Sequence, residues 1–266
     1  VGDAVEGKHL RIELFESVDG LDAGYVYVGN AEDPEPGHVN ISGWKHPEPE
    51  YDLGNDLASK IIKYMLLKEY EIWDGHNELN IVYVEGMNTN GTLNRDEPNQ
   101  WNDIRTVIEF VDGPKGKKPK FCFGPVRATT EPGNTYTYRK LNPNGAFRIK
   151  FGQYLEAWEM GFHNWKSDHP ALVQVGKLCG HRDFNKDFSR VGDKVFCGTD
   201  FGVNQHHGGN CGVVGGWSAG CLVGQSIRDH MEFMRILKLD TRYRANRKFR
   251  YSSTVIPGDD LLAKIK

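Results

Sequence analysis

Apolar and polar residues alternate along most of this chain, and two stretches of helical spacing interrupt the alternation. His9–Phe15 (HLRIELF) has a period of two, and Ala23–Val28 (AGYVYV) follows a Gly-Leu-Asp turn, so both are predicted strands. Asp33–Gly37 and His46–Pro49 are broken by prolines and read as loops. Over residues 55–70 the apolar positions take helical spacing: Leu57, Ile61, Ile62, Met65 and Leu66 share a face, with Asn55 or Asp56 as the cap. Leu79–Glu85 (LNIVYVE) is apolar enough to predict a central strand. Residues 88–103 are a polar, turn-forming loop whose Asn and Asp side chains cap backbone. Thr106–Val111, Phe121–Ala128, Phe147–Phe151, Ala171–Val175 and Phe249–Ile256 are further predicted strands, and Gln153–Met160 reads as a strand running into a loop. Ser226–Leu239 is the second helix, capped by Ser226, with Ile227, Met231, Met234 and Leu237 on one face. The expected class is mainly β with a few helices (α+β), a mixed sheet or small β-sandwich. The basic segment Gly113–Pro119 is a hairpin tip or linker. It is the best candidate boundary between an N-terminal α/β extension (1–118) and a second domain (119–266).

Composition narrows the function classes. A net charge of −3 with 26% charged residues gives no electrostatic case for nucleic acid or an anionic membrane surface. No apolar run approaches the length of a bilayer span. No signal-peptide pattern is present, but the chain opens on Val1 rather than Met, so this is silent about compartment. Five cysteines make an odd count. With Cys221 kept as a free thiol, two disulfides are possible among Cys122, Cys179, Cys197 and Cys211. Cys179 and Cys197 flank an Asp-rich segment and are placed to clasp its base; the alternative is that all five are reduced. No Cys/His spacing predicts a zinc site.

The densest chemistry lies in Phe201–Val223, FGVNQHHGGNCGVVGGWSAGCLV. A thiol needs a base to become a nucleophile, and imidazole is well suited. His206 and His207 precede Cys221 by 15 and 14 residues, a gap that fits a strand, a loop and a return to the opposite side. In a strand the two histidines face opposite ways, so only one can reach Cys221, and the spacing leaves both open. Small residues around Cys221 let a substrate carbonyl come close, with the amides of Gly220 and Cys221 facing the developing oxyanion. Ser218 is placed to orient the histidine or the turn. Against this stands the plain alternative of an inert, buried cysteine among small neighbours.

The order His-Gly, short loop, Ser-x-Gly-Cys, apolar residue resembles the signature of L,D-transpeptidase (YkuD-type) catalytic domains. Phe123–Phe151 resembles that family's strand, Thr-Pro-Gly-type turn and following strand, so the resemblance covers roughly residues 120–256. Ala219 stands where the family usually has His or another polar residue, and Leu222-Val223 stands where an apolar residue is followed by Arg or Asn. The resemblance implies a divergent member with an L,D-transpeptidase-like sheet or sandwich, and its loop length favours His206 as the base by a small margin while its His-Gly order points to His207. It also implies thioester chemistry on peptidoglycan stem peptides, no required cofactor, and an extracytoplasmic setting in a bacterium or phage. Transfer to an amine and hydrolysis by water both remain open, as does the oligomeric state.

Other residues carry weaker expectations. Asp183, Asn185 and Asp187 offer oxygens at alternate positions, with Ser189 and Asp193 beyond, a spacing that resembles a structural calcium loop. Phe188 sits where an EF-type loop needs glycine, and such loops mostly satisfy their own backbone. His163 and His169 are placed to approach the cleft, and His181 reads as a surface or core residue. Arg148, Arg182 and Lys150 are candidates for a substrate carboxylate, with Arg148 the one singled out. Of Trp158, Trp165 and Trp217, the last gains from its place beside the Ser-x-Gly-Cys run and is expected to wall the cleft. The competing function is a non-catalytic cell-wall-binding or phage structural module with a degraded motif. A papain-like protease fits less well, because its nucleophile precedes its histidine.

Overall fold

In a computed structural model the chain forms two compact units, Val1–Glu48 and Pro49–Lys266. The structure describes residues 51–163 and 169–265, together with three paired strand backbones of the first unit. Those strands, β1 (His9–Glu13), β2 (Tyr25–Gly29) and β3 (Pro36–Gly37), form an antiparallel sheet in the order β1-β2-β3. Pro36 and Gly37 therefore pair as strand where a loop was expected. The loop expected at His46–Pro49 lies outside the described residues.

The second unit is built on an eight-stranded closed barrel. Its members are β4 (Asn80–Glu85), β5 (Asp103–Gly113), β6 (Gly116–Thr129), β8 (Gly152–Phe162), β9 (Pro170–Gln174), β12 (Gln205–His207), β13 (Leu222–Gly224) and β14 (Tyr251–Pro257). They run in the order β12-β13-β6-β5-β4-β14-β8-β9, and the pairing of Gln205 with Leu172 closes the ring. The pairs β4–β14 and β12–β13 are parallel, and the other neighbours are antiparallel. A smaller sheet carries β7 (Ala146–Ile149), β10 (Leu178–Asp183) and β11 (Val195–Gly198) in the order β11-β10-β7. The class is thus mainly β with few helices, and its mixed sheet closes into a barrel.

The boundary expected at residue 118 falls inside β6. Gly113 and Gly116 close the hairpin joining β5 to β6, and pairing runs from there to Asp103–Ala128, so the two strands belong to one unit. Of the elements assigned to an N-terminal extension, α1 (Leu57–Leu67), β4 and β5 are parts of the barrel unit, while β1 and β2 belong to the first unit.

Both faces of β4 are buried, as its apolar content predicts, and its period of two divides it between two cores. Ile81 and Tyr83 join a cluster with Phe123, Trp158, Leu222, Phe233 and Leu237. Val82 and Val84 join a second, with Ile61, Ile62 and Met65 of helix α1 (Leu57–Leu67) and Leu261 of a C-terminal helix (Gly258–Lys264). Asp56 caps α1 by accepting from the Ser59 amide at 3.0 Å. Leu66, expected on the buried face, is 43% exposed, and Tyr64 is buried instead.

The Ser226 cap and the helix Ile227–Leu237 (called α3 below, after the short helix α2 at Asn134–Tyr138) form as predicted. The buried face is turned from the expected one: His230, Phe233, Met234, Ile236 and Leu237 are covered, while Ile227 and Met231 are exposed. The reason is a buried polar partner. Arg105 of β5 stacks its guanidinium 4.2 Å from the Phe233 ring and bonds His230 Nδ1 at 3.1 Å. This turns that side of the helix inward.

Candidate functional site

The parallel pair β12–β13 brings the two ends of the 201–223 segment together, with His206 opposite Val223. Cys221 immediately precedes β13, and Asn204 immediately precedes β12. The backbone N–H of Asn204 donates to Cys221 Sγ at 3.4 Å, and the Leu222 N–H donates back to the Asn204 carbonyl at 3.0 Å. The Asn204 side chain anchors this edge by accepting from the Gln174 amide at 3.0 Å and donating to His163 Nδ1 at 3.2 Å.

A ring nitrogen of His163, a ring nitrogen of His206 and Cys221 Sγ all lie within 4.8 Å of one another. His206 is 1% exposed, and its Nδ1–H donates to the His207 carbonyl at 2.9 Å. Nε2 is therefore the basic nitrogen, and it is buried with no hydrogen-bond partner among the described residues. Burial first, and then the neighbouring His163, His169 and His207 rings, hold His206 well below the ordinary histidine range, so it is neutral. Burial likewise pushes the Cys221 thiol up to about 11, with the Asn204 N–H acting in the opposite direction. The resting pair is a neutral thiol beside a neutral imidazole.

The histidines form a stacked group. His163 lies on His206 at 3.9 Å between ring centroids, and His169 lies on His207 at the same spacing. His207 takes a different role from its neighbour: its Nδ1 accepts from the Gly209 amide at 3.2 Å, and its ring faces His230 at 5.6 Å.

The Ser-x-Gly-Cys run is a tight turn. Ser218 is fully buried, donating from Oγ to the Cys221 carbonyl at 2.9 Å and accepting from the Gly220 N–H at 3.1 Å. Ser218 therefore orients the turn rather than a histidine. Gly220 has φ +128°, and a Cβ there would meet the Phe147 carbonyl at 2.7 Å, so only glycine fits. The Gly220 amide is committed to Ser218 and does not face a substrate, which corrects the expected pair of oxyanion donors. The Cys221 amide has no hydrogen-bond acceptor among the described residues.

These groups open onto a cavity of about 520 Å³ lined by His163, His169, His206, His207, Trp217, Ala219 and Cys221, with Tyr136, Leu141 and Phe201 on its far side. Trp217 is a wall residue, held by its Nε1–H donating to Cys211 Sγ at 2.9 Å. Trp158 lies in the core and donates to the Val203 carbonyl, and Trp165 lies outside the described residues.

Arg148 does not reach the cavity. It is fully buried, ion-paired to Glu131 and 3.7 Å from Asp183, because β7 turns it into a cluster of buried carboxyls. His181, on β10, also stands apart from the cavity lining. Asp183, Asp187 and Asp193 bring oxygens within 4.8 Å of one another. Asp183 accepts from the Asp187 and Phe188 amides at 3.2 Å each, while Asp187 accepts from the Ser189 amide and from Asn185 at 2.8 Å each. Most of this donor set is already spent on closing its own loop, so it fits calcium poorly. The soft donors His163, His206 and Cys221 suit zinc better, as two imidazoles and a thiolate do. One disulfide, Cys179–Cys197, joins β10 to β11, and Cys122, Cys211 and Cys221 are free, so a second bridge between Cys122 and Cys211 does not form.

One contributor escaped the sequence: Asn204 carried no motif, whereas His163 and His169, placed to approach the cleft, line the cavity. No family model matches this chain, and neither curated proteins nor solved structures gave a match.

Proposed function

We propose that this protein is a cysteine-dependent acyl-transfer enzyme acting on peptide carbonyls of peptidoglycan stem peptides, a divergent relative of the L,D-transpeptidases. The observation that carries the reading is a ring nitrogen of the buried His206 within 4.8 Å of Cys221 Sγ, on a cavity large enough for a peptide end; its Nε2 has no hydrogen-bond partner among the described residues. His206 takes the thiol proton as Sγ attacks the carbonyl carbon. The oxyanion meets the uncommitted Cys221 amide. Collapse expels the amine, which takes the proton back from His206 and leaves a thioester. A second amine or a water then attacks the thioester, giving a cross-link or a hydrolysed peptide. The Cys179–Cys197 bridge supports an oxidising, extracytoplasmic compartment.

The test is intact-protein mass spectrometry with peptide mapping after treatment with a carbapenem, an acylating β-lactam. A single adduct at Cys221, absent from Cys221→Ala and slowed at least about a hundredfold in His206→Ala, is the expected result. A folded protein that binds cell wall yet is never acylated would instead be the non-catalytic module.

A further inference from the structure

Carboxylate recognition lost with Arg148 is available elsewhere. A second cavity of about 300 Å³ adjoins the first and shares Tyr136, Leu141, Phe201 and Ala219 with it. The two are lobes of one groove, and Ala219, two residues before the nucleophile, lines both. Its small side chain keeps the groove wide at the place where the resemblance has a larger polar residue. At the far lobe stand Arg182 of β10 and Asp200.

Arg182 is held rigidly there. Its guanidinium lies 5.0 Å from the Phe147 ring and 5.4 Å from the Phe201 ring, and these rings contact each other at 4.8 Å. One Nη1–H donates to the Gly145 carbonyl at 3.3 Å. Among the described residues no carboxylate oxygen lies within 4.0 Å of it, although Asp200 is near enough to act on it electrostatically. A planar guanidinium fixed between aromatic rings, with donors left over, is suited to grip a carboxylate. Asp200, close to Arg182 but not paired with it, leaves a complementary anion for an ammonium group.

We infer that Arg182 and Asp200 form a head-group subsite for the zwitterionic end of an amino acid, the carboxylate on Arg182 and the ammonium on Asp200, while the reacting carbonyl lies at Cys221. This rests on the acyl-transfer reading and names the substrate end that the enzyme selects. A blocked or amidated end would be a poor substrate, because it leaves a charged side chain unanswered.

The test uses bromoacetyl groups carried on the side-chain amines of 2,4-diaminobutyrate, ornithine and lysine, so that probe length is sampled. The alkylation rate of Cys221 in the full chain is compared for free amino acids, their α-carboxamides and their Nα-acetyl forms, with iodoacetamide as the short neutral reference. For at least one length the free zwitterion should react about tenfold faster than the carboxamide, as expected for a charge-assisted contact. That preference should fall to about one in Arg182→Gln, and the preference over the Nα-acetyl form should fall to about one in Asp200→Asn. Equal rates for zwitterion and carboxamide at every length, with iodoacetamide still reacting, overturn the subsite alone. So does a preference that survives Arg182→Gln. A Cys221 inert to every reagent in the folded protein removes the nucleophile, and both readings fall together.

Discussion

A thiol pushed up to about 11 is almost wholly protonated at neutral pH, and a histidine held below its usual range does not protonate to pair with a thiolate. The pair Cys221–His206 therefore differs from a preformed thiolate–imidazolium. On the proposed acyl-transfer reading, deprotonation accompanies attack, and the Asn204 N–H, 3.4 Å from the sulfur, supports the charge that develops there. A pH profile tests this directly. Alkylation of Cys221 by iodoacetamide should climb about tenfold per pH unit through pH 9, with no acidic plateau, because the reactive thiolate fraction follows the raised pKa. A flat profile between pH 6 and 8 would mean a standing thiolate. If it also became labile to a chelator, a metal held by His163, His206 and Cys221 would be its cause.

Among the elements, β10 connects the site to the rest of the small sheet. It carries Arg182 on the groove and Asp183 at the head of the 183–193 loop, and Cys179 ties it to β11. The bridge spans 18 residues, a loop length for which closure is worth about 3 kcal/mol in the denatured chain. Replacing Cys179 and Cys197 together by alanine should lower unfolding free energy by about 2–4 kcal/mol in urea titrations. Because β9, β12 and β13 belong to the barrel and not to this sheet, Cys221 should still react with iodoacetamide in that variant. Loss of thiol reactivity in a protein that remains folded would show that the small sheet positions the nucleophile as well.

At the scale of the whole molecule, a cluster of buried charges lies outside the cavity lining. Glu85, Asp96, Asp103 and Glu131 gather around Arg148 and Arg190, with Arg190 forked onto Glu85 at 2.5 and 2.6 Å. The hydroxyl of Thr130 meets Glu85 at 2.5 Å and Asp103 at 2.9 Å, and its one proton cannot serve two carboxylates. A carboxyl proton must be retained. Burial, and then the charge of Glu85, push Asp96 up to about 6 and Glu131 up to about 7. Raised carboxyls bind protons more tightly folded than unfolded, so their contribution is fully present below about pH 4 and is lost as pH rises through 6 to 7. The melting temperature should therefore fall from pH 5 to pH 8, more shallowly in Asp96→Asn. A melting temperature that rises over this range would show that the two arginines dominate the cluster.

Much of this protein was legible from its residues alone. Apolar content located β4, short strand-forming runs located β9 and β14 to within a few positions, and helical spacing with Asp56 and Ser226 located both long helices, because these signals are local. The Ser-x-Gly-Cys run marked the chemistry by its small residues, while the tight turn it makes, with Gly220 at φ +128°, came from the structure. Tertiary structure decided the rest. Alternation marks two faces of a strand but not its neighbours, so the closure of β9 onto β12 had no signature in the chain. The covered face of the second helix turned toward Arg105, 125 residues away from His230, and no periodicity reports such a partner. Arg148 and Arg182 are the same residue type only a few positions apart on paired strands. Register buries one among carboxyls and sets the other beside the groove, and register is fixed by the whole sheet.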